Sequence, residues 1–134
     1  AQCLGAVVGA LLVQKLNNGA VGLTLPRESL STPSAFLIET GITLALVFVI
    51  LRAPCMVGTS IHRIALLVGS TVGINAYLFG AMTGASMNPA RTIGPALVAG
   101  NPVYLWLYIS APVMGCLIAF AIHKTLPKKE AGCC

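Results

Sequence analysis

The chain has 134 residues, of which 57% are hydrophobic and 8% charged, and it carries a formal net charge of +5. A soluble domain has about a quarter charged residues, so this composition, with a mean hydropathy of +0.90, excludes a water-soluble globule and indicates a small integral membrane protein. The basic residues make no nucleic-acid-binding stripe; they gather at the ends of apolar segments, the positive-inside pattern.

In chain order, the first apolar segment covers residues 1–16 and ends at Gln14-Lys15. It opens Ala1-Gln2-Cys3 without a basic leader, and reads as a span cut off at its start rather than a signal peptide. Residues 17–33 are rich in Gly, Pro, Ser and Thr and form a loop. The second span, 34–52, is expected to stop at Arg52 and Pro54. It contains Glu39 beside Thr40 and Thr43. An acid inside a membrane invites a functional reading. A proton relay would need titratable partners, and His62 and His123 fall at helix ends. Glu39 is therefore expected to support structure, by accepting hydrogen bonds from loop N–H groups or a side-chain donor.

The third span is placed at 61–80. Gly5 with Gly9, and Gly69 with Gly73, have the small-xxx-small spacing that lets membrane helices approach closely. The glycine-rich stretch 80–87 is expected to be irregular. The segment 88–99 is expected to be a helix, but twelve residues rise about 18 Å against a hydrocarbon core of about 30 Å. It cannot cross, so 81–101 reads as a re-entrant loop plus half-helix, closed by Gly100-Asn101-Pro102. The last span is 103–126, with Tyr104, Trp106 and Tyr108 as an interfacial aromatic belt. A basic tail, 127–134, ends in Cys133-Cys134. Cys3, Cys55 and Cys116 read as small buried hydrophobes. The expected fold is thus an all-α membrane protein: one domain of about four spans and a half-helix.

Charge sets the orientation. Arg52, His62 and Arg63 in one connection, and Lys124, Lys128 and Lys129 after the last span, place both on the cytoplasmic side. The half-helix then enters from outside, with its N-terminus near mid-bilayer.

The chemistry concentrates in Asn88-Pro89-Ala90-Arg91. Asparagine caps a helix and proline starts one. The half-helix N-terminus carries about half a positive charge, Asn88 offers amide donors, and Arg91 stays charged. Together they would hold a passing water by its oxygen and repel hydronium and metal cations. No catalytic set, metal-ligand spacing or cofactor motif is expected.

The string Gly84-Ala85-Ser86-Met87-Asn88-Pro89-Ala90-Arg91, followed by Gly94-Pro95-Ala96, resembles the aquaporin, or major intrinsic protein, family. Glu39, Ala1-Gln2 and Ala111-Pro112 add to the likeness, which covers essentially the whole chain. The resemblance implies an aquaporin-like helical bundle, partial here. The family has six spans and two half-helices in inverted repeats, and this chain matches from the third span onward, without the first Asn-Pro-Ala. By family position the selectivity filter falls on Ala76, Ala85 and Arg91. Alanine at the first, where strict water channels carry histidine, implies a wider filter, and Thr92 replaces the aspartate of glycerol facilitators. The motif string with Tyr108-Ile109 looks most like the nodulin-like intrinsic proteins.

The implied function is a passive, proton-excluding channel for water and small neutral solutes such as glycerol and metalloid acids. The implied setting is a homotetramer in the plasma membrane, with the lipid bilayer and solutes as partners. The alternative is a non-conducting half that needs its complement.

Overall fold

The computed structural model describes residues 1–17, 22–58 and 60–126. The basic tail 127–134 lies outside them. Five helices follow in order: α1 Gln2–Leu16, α2 Thr32–Val57, α3 Ile61–Thr83, α4 Pro89–Val98 and α5 Leu105–Thr125. Among the described residues α2, α3 and α5 are long and apolar enough to cross a membrane; α1 is apolar but shorter, at 15 residues. The bundle thus has three membrane-length helices and a short one, where about four spans were expected.

Two ends differ from the sequence reading. Helix α2 runs through Pro54 to Val57 instead of stopping near Arg52. Its start follows local chemistry, with Ser31 accepting the Ser34 amide at 3.3 Å and Pro33 in the first turn. Helix α3 continues to Thr83, so the glycine-rich stretch 80–87 is helical for its first half. Gly84, left-handed at φ 82°, ends it and donates its amide to the Gly80 carbonyl. Glycine takes this conformation without steric cost.

Helix α2 packs on α5 and on α3, while α4 packs on α1 and on α5. Helices α2 and α5 run parallel: Ala35 clusters with Leu107 and Tyr108, and further along Gly115 meets Thr40 and Leu44. A Cβ on Gly115 would lie 2.6 Å from the Thr40 carbonyl oxygen, so the two backbones nearly touch. Buried Ala111, Gly115 and Ala119, four residues apart, make this seam. The second close contact is Gly94, whose Cβ would fall 2.4 Å from the Ala6 carbonyl carbon. The glycines expected to pack, Gly5, Gly9, Gly69 and Gly73, have nothing within 4 Å of such a Cβ. Spacing alone marked them, but contact depends on which helices are brought together.

Other expectations shift for the same reason. Tyr108 is fully buried rather than interfacial, while Trp106 is exposed. Cys3 and Cys116 are exposed thiols, not buried, and Cys55 is disulfide-bonded. Of α3, only Asn75 and Thr83 are buried, which leaves most of that helix without protein cover.

Candidate functional site: the 84–88 loop and the half-helix

Five residues, 84–88, connect α3 to α4. Their backbone is unusual, with Gly84 at φ 82°, Ala85 at φ 42° and Met87 at φ 53°. Left-handed conformations cost about 1–2 kcal/mol each for residues with a Cβ. Positive φ at Ala85 and Met87, on either side of Ser86, turns the Ser86 and Met87 amides toward one side, in the manner of an anion-binding nest. The Glu39 carboxylate fills it. Its Oε1 accepts the Ser86 amide at 3.0 Å and the Thr83 hydroxyl at 2.7 Å, and its Oε2 accepts the Met87 amide at 3.1 Å. Glu39 has no exposed surface. Hydrogen bonds to a charged group contribute about 1.5–3 kcal/mol each, enough to offset two strained residues.

Neighbours complete the support. The Thr83 hydroxyl, having given its proton to Glu39, accepts the Ala85 amide at 3.2 Å. Tyr108 donates its hydroxyl to the Thr83 carbonyl. Asn75 donates its side-chain amide to the Ile42 carbonyl at 3.2 Å and contacts the Met87 sulfur at 3.4 Å. Glu39 itself is anchored on α2, where its carbonyl accepts the Thr43 hydroxyl at 2.7 Å.

Helix α4 starts at this loop. Asn88 is its N-cap, its Oδ1 accepting the Ala90 amide at 2.9 Å. The Asn88 carbonyl accepts the Arg91 amide at 3.1 Å and the Ser86 hydroxyl at 2.9 Å. Pro89 has no N–H. The early amides at Ala90 and Arg91 are therefore already taken, whereas the sequence alone counts them as donors for a solute. The side-chain donors left free at this cap are the Asn88 Nδ2 and the Arg91 guanidinium, which bonds no other described residue. Both residues are exposed. The far end closes in a Schellman motif, Gly100 at φ 64° donating to Leu97 at 3.2 Å and Asn101 to Ala96 at 2.9 Å.

Of the expected filter positions, Arg91 and Ala76 are exposed and Ala85 is buried. Ala76 is on α3, which does not touch α4, so no packing joins Ala76 to Arg91. Sequence reading does not single out Thr83, Thr24 or Asn75; the available signal is a set of polar residues in otherwise apolar sequence. A largely apolar groove of about 410 Å³ between α2 and α3, bordered by Ile42, Asn75 and Phe79, includes neither Asn88 nor Arg91.

Fold and site define a multi-pass, all-helical membrane protein whose short half-helix is capped by Asn-Pro-Ala-Arg and braced by a buried glutamate. Comparison with known proteins narrows this class. The sequence profile of the family described as "Major intrinsic protein" matches residues 1–123. Aquaporin-4 of Mus musculus is 37% identical over 129 residues, covering 92% of this chain and 40% of that protein. Aquaporin NIP3-1 of Zea mays is 36% identical over 109 residues, 81% of this chain and 36% of its own length. Aquaporin NIP3-1 of Oryza sativa subsp. japonica is 35% identical over a stretch of the same length. The chain belongs to the major intrinsic protein family, and it spans about two fifths of the length of the curated relatives it matches.

Proposed function

We propose that these residues form one half of the wall of a passive channel for water and small neutral solutes, with protons and cations excluded at Asn88 and Arg91. The observation that carries the reading is the pattern of free donors. The Ala85, Ser86, Met87, Ala90 and Arg91 amides are bonded inside the protein, and the Asn88 Nδ2 and Arg91 guanidinium remain open on exposed residues. An arginine at a helix N-terminus is disfavoured by the helix dipole. Here the two positive contributions add, which suits a cation barrier. A neutral solute would exchange hydration for these donors as it passes between α3 and α4, with Ala76 leaving the passage wide.

Glu39 supports the pore loop in this reading and is no proton relay. The channel is a transporter, not an enzyme, and a homotetramer is its proposed assembly. The parallel run of α2 and α5 brings Arg52 and Lys124 to the same end, which supports a cytoplasmic C-terminal tail; the plasma membrane is the proposed location.

The sparse cover of α3 and the two-fifths span favour a companion reading, that this stretch conducts only with a complementary half. Stopped-flow light scattering on proteoliposomes tests both. The 134 residues alone should shrink no faster than lipid. Placed in aquaporin-4 in exchange for the matching 129 residues, they should give fast water exit without proton flux. A chimera that inserts and tetramerises yet passes no water would overturn the channel reading.

A further inference from the structure

Three hydroxyls join the 22–31 connection to the α4 cap. Thr24 Oγ1 lies 2.7 Å from Thr92 Oγ1, Thr92 Oγ1 lies 2.7 Å from Ser86 Oγ, and Ser86 Oγ lies 2.9 Å from the Asn88 carbonyl oxygen. All three side chains are at most 3% exposed. Each hydroxyl has a single proton, and that settles the direction of the chain. The Asn88 carbonyl can only accept, so Ser86 spends its proton there. The proton between Ser86 and Thr92 must then come from Thr92, and the one between Thr92 and Thr24 from Thr24. The order is Thr24 to Thr92 to Ser86 to the Asn88 carbonyl, each hydroxyl proton used once. Hydrogen bonds linked head to tail polarise one another.

We infer that Thr24, 64 positions upstream of the motif, is a positioning residue for Asn88. It is held tightly enough for the task. A Cβ on Gly84 would lie 3.0 Å from Thr24 Cγ2 and 3.1 Å from its Cα, so Gly84 admits Thr24 by lacking a side chain. The Arg27 amide donates to the Met82 carbonyl at 2.8 Å and pins the same connection to the end of α3. The Asn88 carbonyl, held by Ser86 and Arg91 together, fixes the peptide plane from which the Asn88 side chain projects. The connection between α1 and α2 thereby sets the aim of the donor that meets the solute. That last step rests on the channel reading; the hydroxyl chain does not.

The test is carbonyl 13C NMR on the uniformly 13C-labelled chain in phosphatidylcholine nanodiscs, with the Asn88 carbonyl assigned. Thr24→Val should move the Asn88 carbonyl resonance upfield, Thr92→Val should move it in the same direction, and Thr24→Ser should leave it at the parent position. An Asn88 resonance unmoved by either valine variant overturns the inference. So does a Thr24→Val spectrum in which carbonyls throughout the chain move as much as Asn88, because that is general loosening. If Thr24→Val does not fold, Thr24→Ala, which removes the same hydroxyl with less bulk, is read in its place, and an unmoved Asn88 resonance there overturns the inference. The resonance reads out whether or not solute passes, so failure of the channel reading leaves the hydroxyl chain standing or falling on its own data.

Discussion

Glu39 and Met87 are 48 positions apart in the chain, yet the Met87 amide donates to Glu39 Oε2 at 3.1 Å. With the Ser86 amide and the Thr83 hydroxyl on Oε1, this bond turns one buried carboxylate into the template for the loop. Glu39→Ala should leave those three donors buried and unpaired, and an unmade bond of this kind costs about 1–3 kcal/mol. The expected loss is at least about 3 kcal/mol, read as a large fall in thermal midpoint in detergent. Glu39→Gln keeps one acceptor oxygen and should lose less. Equal midpoints for Ala, Gln and parent would remove the template role.

Tyr108→Phe isolates the brace from α5. The ring stays and only the hydroxyl bonded to the Thr83 carbonyl goes. A loss of about 1 kcal/mol is expected, measured by denaturant titration, with helix content unchanged. No loss would mean the hydroxyl bond is not formed in solution.

Glycine contacts predict a contrast. Gly94→Ala and Gly115→Ala place a methyl within 2.4 Å and 2.6 Å of facing backbone atoms, and should cost about 1–3 kcal/mol by overpacking. Gly5→Ala and Gly73→Ala meet nothing within 4 Å and should be neutral or slightly stabilising in this chain. Thermal midpoints of the four variants, measured side by side, check the ranking; a costly Gly73→Ala would show that α3 has a partner surface in solution.

Arg91→Ala removes the exposed cation while sparing the backbone amide bonded to Asn88. In the aquaporin-4 chimera, passage of larger neutral solutes and of cations should rise by about tenfold or more, the equivalent of about 1.4 kcal/mol of lost barrier, while water flux changes less. Unchanged selectivity in an inserted channel would take Arg91 out of the filter.

Much of this molecule is legible in its residues. Hydrophobic runs locate the long helices, because only helices satisfy their own backbone inside lipid. Asn88-Pro89 marks the start of α4 and Gly100 its end, since capping is local chemistry. Helices α2 and α3 run past the ends that Pro54 and the glycine-rich stretch suggest, because proline and glycine are tolerated within membrane helices. Glu39 stands out as a lone acid in an apolar run, yet its three donors do not, because they lie on elements 44 to 48 positions away.

The sequence by itself determined the solvent, the helical class, the family motif and the polarity of the α4 cap, all properties set within a few residues of each position. Only the tertiary structure decided which small residues form seams, which tyrosine is buried, and which donors remain free at Asn88 and Arg91. Those outcomes depend on distances between helices that no periodicity encodes. The path from Thr24 through Thr92 and Ser86 to Asn88 is the clearest case: four ordinary polar residues acquire a direction only when folding stacks them at hydrogen-bond distance and each hydroxyl has one proton to give.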